Sequence, residues 1–345
     1  MPLSAALIFY TGIVTGTMIA MSSHHWLMAW VGLELNTLAM IPIISSPKHP
    51  RATEASTKYF LTQTIASALL LFSSTMNAWQ TGQWDTTQLN DKYACTIMTI
   101  ALAMKLGAAP FHFWLPEVLQ GSTMKTSLLI LTWQKIAPIT LLYTTAPHLP
   151  QKMMLTIGIL SAVVGGWGGL NQTQMRKILA YSSISNLGWT MSAMALSPNI
   201  AILNITIYIL LSTPTLLLLE ATSTKTLKDT TTMWTTKPMT STLLTLLLLS
   251  TGGLPPLTGF LPKLLIMNEF STQNLTTLGV TMAMTSLLDL MYYLRITYLT
   301  SMTTPPITST MTMKWRLKQR QPSTLIATLT TIALLMTPAA PTITI

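Results

Sequence analysis

Runs of about twenty apolar residues, parted by short polar connections, set the rhythm of this chain. A helix needs about 20 such residues to cross a bilayer. On that basis spans are predicted near 3–21, 25–44, 58–79, 94–119, 125–145, 153–170, 176–196, 199–221, 240–270, 276–299 and 324–342. The expected fold class is an all-α polytopic membrane protein with about eleven transmembrane helices. The stretches 222–239 and 301–323, rich in Thr and Lys or carrying Pro305-Pro306 and the basic run Lys314 to Arg320, read as solvated loops.

Two of the runs are interrupted in the same way. The fourth contains Lys105-Leu-Gly-Ala-Ala-Pro110-Phe-His112-Phe-Trp114-Leu115-Pro116-Glu117, and the ninth contains Gly252-Gly-Leu-Pro-Pro256-Leu-Thr-Gly-Phe260-Leu261-Pro262-Lys263. Both read Pro-x-x-x-aromatic-Leu-Pro followed by a charge, and the copies lie 146 positions apart. Proline removes a backbone donor and clashes with the preceding turn, so each copy should break its helix. Proline kinks often do no more than shape packing. Matching interruptions in two halves, each with a lysine nearby, point instead to the working site of a transporter-like fold. The predicted arrangement is two five-helix repeats, 1–149 and 150–300, followed by a basic loop and final helix over 301–345. Five is odd, so the repeats would be inverted in the membrane.

Charge supports that reading. Of 345 residues 50% are apolar and 8% charged, against roughly 25% charged in soluble domains. The net charge of +10 would point to nucleic acid in a soluble protein, but here it follows the loops. Thirteen of the nineteen Lys and Arg fall in connections after even-numbered spans, and only Lys92 and Lys152 after odd-numbered ones. The positive-inside bias places the N-terminus on the basic side, with anionic lipid rather than nucleic acid facing the basic loops. The first residues carry no basic or Arg-rich leader and run straight into the first span.

Four basic residues remain inside spans: Lys105, Lys135, Lys263 and Arg295. Glu34 joins them in Trp30-Val-Gly-Leu-Glu34-Leu-Asn36. A charge at the bilayer centre costs about 2.5–3.5 kcal/mol even on the lenient insertion scale, so each must face protein or water. One acid and three lysines over four spans are too many for a single ion pair. They read as a proton relay, with Glu34 and Lys105 as the switch pair and Lys135 and Lys263 as successive stations. His112, beside the first break, is a possible further station or a packing hydrogen-bonder. The bland alternative is a set of interhelical pairs retained for assembly. Glu117, Glu220, Glu269, Asp289 and Arg295 are weaker candidates; Asp289 and Arg295 are expected to need partners on other helices.

Other chemistries find little purchase. No Walker A or Gly-x-Gly-x-x-Gly pattern follows a strand. Cys95, the single cysteine, excludes an internal disulfide and a cysteine-ligated cluster, and His24-His25 is a poor metal site. The glycosylation-like Asn171-Gln-Thr173, Asn204-Ile-Thr206 and Asn274-Leu-Thr276 lie in or beside spans and read as coincidental. Gly165-x-x-x-Gly169 reads as close helix packing.

Several stretches resemble a known family: Trp30 to Asn36, Pro50-Arg-Ala-Thr-Glu54-Ala-Ser-Thr-Lys58-Tyr-Phe, Pro110 to Glu117, Asn171-Gln-Thr-Gln-Met-Arg176-Lys177-Ile-Leu-Ala-Tyr181-Ser-Ser and Gly253 to Lys263. In order and over nearly the whole chain, they are similar to the antiporter-like subunits of respiratory complex I, in the shortened form of animal mitochondria. More generally they are similar to Mrp-type cation/proton antiporters. The resemblance implies proton translocation in the membrane arm of complex I, in the inner mitochondrial membrane with the N-terminus on the matrix side. Glu34 and Lys105 would be the input pair, Lys135 the central lysine and Lys263 the terminal lysine. It also implies no redox centre in this chain, with FMN, iron–sulfur clusters and ubiquinone held by other subunits. Expected partners are a neighbouring antiporter-like chain, small membrane chains, accessory subunits and phospholipids such as cardiolipin. One position departs from the family: Asn186 stands where it usually has His, and Asn cannot carry a proton.

Overall fold

The computed structural model describes residues 3–236, 238–302 and 324–336. Lys237, Pro305-Pro306, the basic run Lys314 to Arg320 and the end of the expected last span lie outside them. Among the described residues the fold is helical throughout, without a strand. The first half contains α1 (Leu3–Ser22), α2 (Trp26–Ser45), α3 (Pro50–Thr81), α4 (Lys92–Leu106), α5 (Trp114–Gly121), α6 (Met124–Leu131) and α7 (Trp133–Thr145). The second contains α8 (Gln151–Leu170), α9 (Met175–Leu196), α10 (Pro198–Thr222), α11 (Leu227–Thr231), α12 (Met233–Thr236), α13 (Pro238–Gly252), α14 (Phe260–Thr272) and α15 (Thr276–Ser301). A final helix, α16 (Thr324–Leu335), follows.

Both proline motifs break their helices, and they do so by the same bonds. α4 ends where Gly107 takes a φ of +78°, with its N–H and that of Ala108 both donating to the Ala103 carbonyl at 3.0 Å. α13 ends where Gly253 takes a φ of +87°, with the N–H groups of Gly253 and Leu254 donating to Leu249 at 3.2 and 3.3 Å. Each is a glycine C-cap closing orphan carbonyls, and every position in one is 146 residues from its counterpart in the other. A second correspondence lies in the loops. The α1–α2 and α3–α4 connections are bridged through Trp26 to Trp84 and Thr86 to His24, and the α8–α9 and α10–α11 connections through Met175 to Lys225 and Leu227 to Thr173. α3 packs on both α4 and α5, as α10 packs on both α13 and α14.

Three expectations change. The third helix begins at Pro50 instead of near 58, because His49 caps it and Pro50 is pre-set for a first turn. The fifth apolar run is divided at Thr132 into α6 and α7. The stretch 222–239, read as a solvated loop, carries two short helices. Thr226 and Asp229 form a reciprocal cap there, and Thr230 and Met233 are buried. By length and hydropathy alone four helices qualify as single spans: Ser4–Ser22, Trp26–Ser45, Gln151–Leu170 and Pro198–Thr222. The others are broken, short or rich in hydroxyl and amide side chains.

The two halves share their interior. One apolar cluster joins Trp26, Leu102, Leu142, Trp189 and Met282, and another joins Met40, Tyr59, Leu115, Leu211 and Ile296. On the outside, Val280, Met284, Leu287, Met291, Leu294 and Tyr298 form an exposed stripe along α15 at helical spacing, as suits a face turned to lipid or to a neighbouring helix.

Candidate proton-transfer site

Each intramembrane lysine stands beside a helix interruption. Lys105 lies in the last turn of α4, Lys135 in the first turn of α7 after Thr132, and Lys263 in the first turn of α14. Interruptions are where backbone leaves its ladder and polar side chains can be solvated inside a membrane protein. Lys105, Lys135 and Lys263 are all buried.

Lys105 and Lys135 face one cavity of about 20 Å³, which also contacts Asn36, Thr37, Tyr59, Gln63 and Gln134. That volume admits about one water. The cavity wall is a polar chain contributed by three helices. Tyr59 on α3 donates to Gln134 on α7 at 3.4 Å, and Gln134 donates to Asn36 on α2 at 2.7 Å. Gln63 reaches the Lys105 carbonyl at 3.4 Å. The Nζ atoms of Lys105 and Lys135 have no hydrogen-bond partner among the described residues. Buried polar atoms are nearly always satisfied by protein or water, and this cavity is the space beside both amines large enough for one water.

Glu34 is half-buried on α2, and its Oε2 accepts from Thr37, a cavity residue, at 3.0 Å. No ion pair within 4 Å joins it to Lys105 among the described residues; the two interact at longer range. His112 is buried with its ring 4.2 Å from that of Phe113. It is not among the residues of the Lys105–Lys135 cavity.

Lys263 lies apart, at the second break. Its Nζ donates to the Gly252 carbonyl at 2.9 Å, so the amine closes the C-terminal end of α13. Its stem lies across Gly253, where an added Cβ would come within 3.1 Å of Lys263 Cδ. Asp289, a weaker candidate in the sequence, is buried and interacts electrostatically with Lys263. It accepts from Tyr292 on its own helix at 3.3 Å. Arg295 does have its partners elsewhere, on the carbonyls of Leu170 and Gln172 at 2.5 and 2.7 Å.

Tyr208 adjoins both Lys135 and a second cavity. Lys135 Nζ sits 4.6 Å from the centre of the Tyr208 ring. The same residue contacts a second cavity, of about 10 Å³, with Asn186, Asn204, Thr251 and Pro262. Asn186 spends its amide on the Ser182 carbonyl at 2.8 Å.

Glu54 and Glu117 are exposed. Lys58 bridges Glu54 at 2.5 Å and Glu117 at 2.6 Å, and hydrogen bonds to Glu117 and Glu54 push its pKa up to about 12. Glu117 therefore neutralises α3 of this chain. Glu220 pairs with Lys125 at 3.5 Å. Among the described residues no group of three or more His, Cys, Asp or Glu is placed to hold a metal.

Asn36, Tyr59, Gln134 and Tyr208 were passed over as candidates in the sequence because none is charged. Their only signal there was polar atoms placed inside apolar runs.

Comparison with known proteins places this geometry. Residues 23–289 match the family model described as NADH:quinone oxidoreductase/Mrp antiporter, TM, and residues 290–344 match that of the NADH dehydrogenase subunit 2 C-terminus. The chain is 50% identical over 331 residues to NADH-ubiquinone oxidoreductase chain 2 of Xenopus laevis, covering 96% of each. It is 51% identical over 335 residues to that of Varanus timorensis, covering 97% of each. Among solved structures it superposes on a chain of respiratory complex I from Thermus thermophilus with a TM-score of 0.85. The two are 24% identical, and the match covers 98% of this chain and 79% of that one. A chain of the Mrp complex from Dietzia sp. gives a TM-score of 0.79 at 18% identity, covering 86% and 60%. The chain belongs to the NADH:quinone oxidoreductase/Mrp antiporter family, within its NADH-ubiquinone oxidoreductase chain 2 branch.

Proposed function

We propose that this chain moves protons across the inner mitochondrial membrane as a membrane-arm subunit of respiratory complex I, through Glu34, Lys105, Lys135 and Lys263. The relatives at about half identity over nearly the whole chain carry the assignment to the complex. The observation that carries the relay is the pair of amines, Lys105 and Lys135, that lack a hydrogen-bond partner among the described residues and share one water-sized cavity. Salt bridges kept only for assembly would leave such amines paired. Protons pass from the Glu34–Lys105 side to Lys135 and on to Lys263, driven by NADH oxidation and ubiquinone reduction elsewhere in the complex. FMN, the iron–sulfur clusters and ubiquinone belong to other subunits. His112 is a further candidate station beside the first break.

The membrane arrangement proposed is eleven spans in two inverted five-helix repeats, 1–149 and 150–300, with 301–345 outside the pair and the N-terminus in the matrix. The matching glycine caps and loop bridges of the two halves support it. Partners are the neighbouring antiporter-like and small membrane chains, accessory subunits and phospholipids such as cardiolipin. A stand-alone cation/proton antiporter would run without these partners and respond to sodium, and a scaffold would need no relay.

The test is Lys135→Met in the intact membrane fraction, with assembly of the large complex checked in parallel. Loss of NADH-driven quinone reduction and proton uptake in an assembled complex is the expected result. Unchanged pumping would leave the chain as a scaffold.

A further inference from the structure

The relay as read from the lysines has a gap. Lys135 faces the first cavity and Lys263 is anchored at the second break, and among the described residues no charged side chain contacts the second cavity, which Asn186 helps to line. Three observations converge on the gap. Tyr208 is buried on α10, with its ring face 4.6 Å from Lys135 Nζ. The residue also contacts the cavity that touches Thr251 and Pro262. Those two flank the Lys263 anchor in sequence: Thr251 precedes Gly252, whose carbonyl Lys263 holds, and Pro262 precedes Lys263 itself. Third, Asn204 lies one turn before Tyr208 on the same helix face and contacts the same cavity. Its Nδ2 is buried without a hydrogen-bond partner among the described residues. Unlike the buried indoles in that condition, this amide stands on a cavity, where a water would complete it.

We propose that Tyr208 joins the two halves of the relay: its ring face positions the Lys135 ammonium, and its hydroxyl, with Asn204 orienting one water, passes the proton toward Lys263. The inference rests on the relay reading above. The step balances without a co-reactant. The Lys135 ammonium releases a proton through water to the Tyr208 oxygen, and the hydroxyl gives up its own proton to the water held by Asn204. That water then delivers one to the neutral Lys263 amine, and rotation of the hydroxyl resets the link. Tyr208 keeps its proton count throughout, so a phenol can serve here without ionising.

The experiment uses the assembled complex in its own membrane, with parallel variants. Tyr208→Phe keeps the ring under Lys135 and removes only the hydroxyl. NADH-driven proton uptake should fall by about tenfold or more, since a positioned proton carrier is lost, and its solvent deuterium isotope effect should rise as transfer becomes limiting. Tyr208→Leu removes the ring as well and should be slower still. Asn204→Leu preserves volume, removes the amide and should also slow uptake with a raised isotope effect, so the result does not hang on one variant's folding. Lys135→Met is the control for the relay itself. Parent-like uptake and isotope effect in Tyr208→Phe and Asn204→Leu, beside an inactive Lys135→Met, overturn this inference and leave the relay standing. Parent-like uptake in Lys135→Met overturns both.

Discussion

At the residue scale the second break turns on Gly253. Its φ of +87° is one an L side chain adopts only with strain, and an added Cβ would press on the Lys263 stem. Gly82, at φ +70°, imposes the same backbone demand with nothing within 4 Å. The two therefore separate strain from contact. Gly253→Ala and Gly82→Ala should each cost about 1–2 kcal/mol from the left-handed backbone. Only Gly253→Ala should also shift Lys263 from the Gly252 carbonyl and slow proton uptake. Thermal stability of the assembled complex and NADH-driven uptake, measured side by side, check it; equal uptake in the two would mean that the Lys263 anchor is not needed for transfer. The charged residues of this site were legible in the sequence because a lysine inside an apolar run is anomalous wherever it packs. Tyr59, Gln134 and Tyr208 were not, because their importance lies in what faces them across helices distant in the chain.

At the element scale α8 and α9 meet backbone to backbone. A Cβ on Gly165 would lie 2.5 Å from Ser185 N, and one on Gly188 would lie 2.6 Å from Ala162 N and Gly158 O. Gly169 likewise makes room for the Tyr292 ring. The small-residue packing expected from Gly165-x-x-x-Gly169 is thus what the helices use. Gly188→Val should force α8 and α9 apart, costing about 1–3 kcal/mol by overpacking. Because α9 carries Ser183, Asn186 and Trp189 toward the lysines, assembly and activity should fall together. Gly12→Ala, whose Cβ would meet only Ala39 Cβ at 3.3 Å, should be mild. Complex abundance on native gels separates the two cases. Helix existence was readable here from apolar run length, and α2, α9 and α10 lie within one residue of their expected ends. The division at Thr132 was not, since no Pro or Gly marks it and the break serves to present Gln134 and Lys135.

For the whole molecule the sidedness prediction is the discriminating one. Gln83 lies in the connection after the third span and Lys225 in that after the eighth, and both are exposed. In the proposed topology they face opposite compartments. Cys95 is buried, so a single added cysteine can be read against a quiet background. An impermeant maleimide applied to mitoplasts should label Gln83→Cys and spare Lys225→Cys, with the reverse in inside-out vesicles. Labelling of both from one side would break the inverted arrangement.

The sequence by itself determined the membrane class, the two proline breaks, their 146-residue spacing and the three buried lysines. These follow from local chemistry: apolar run length, a missing backbone donor and the cost of a charge in hydrocarbon act on each segment wherever it sits. Only the tertiary structure decided that Lys105 and Lys135 share a cavity, that Glu34 stands off from Lys105, that Asp289 acts on Lys263 and that the Tyr208 ring lies under Lys135. Each depends on which helix faces which, and that is set by glycine contacts and side-chain packing between helices, which run length and local chemistry do not specify.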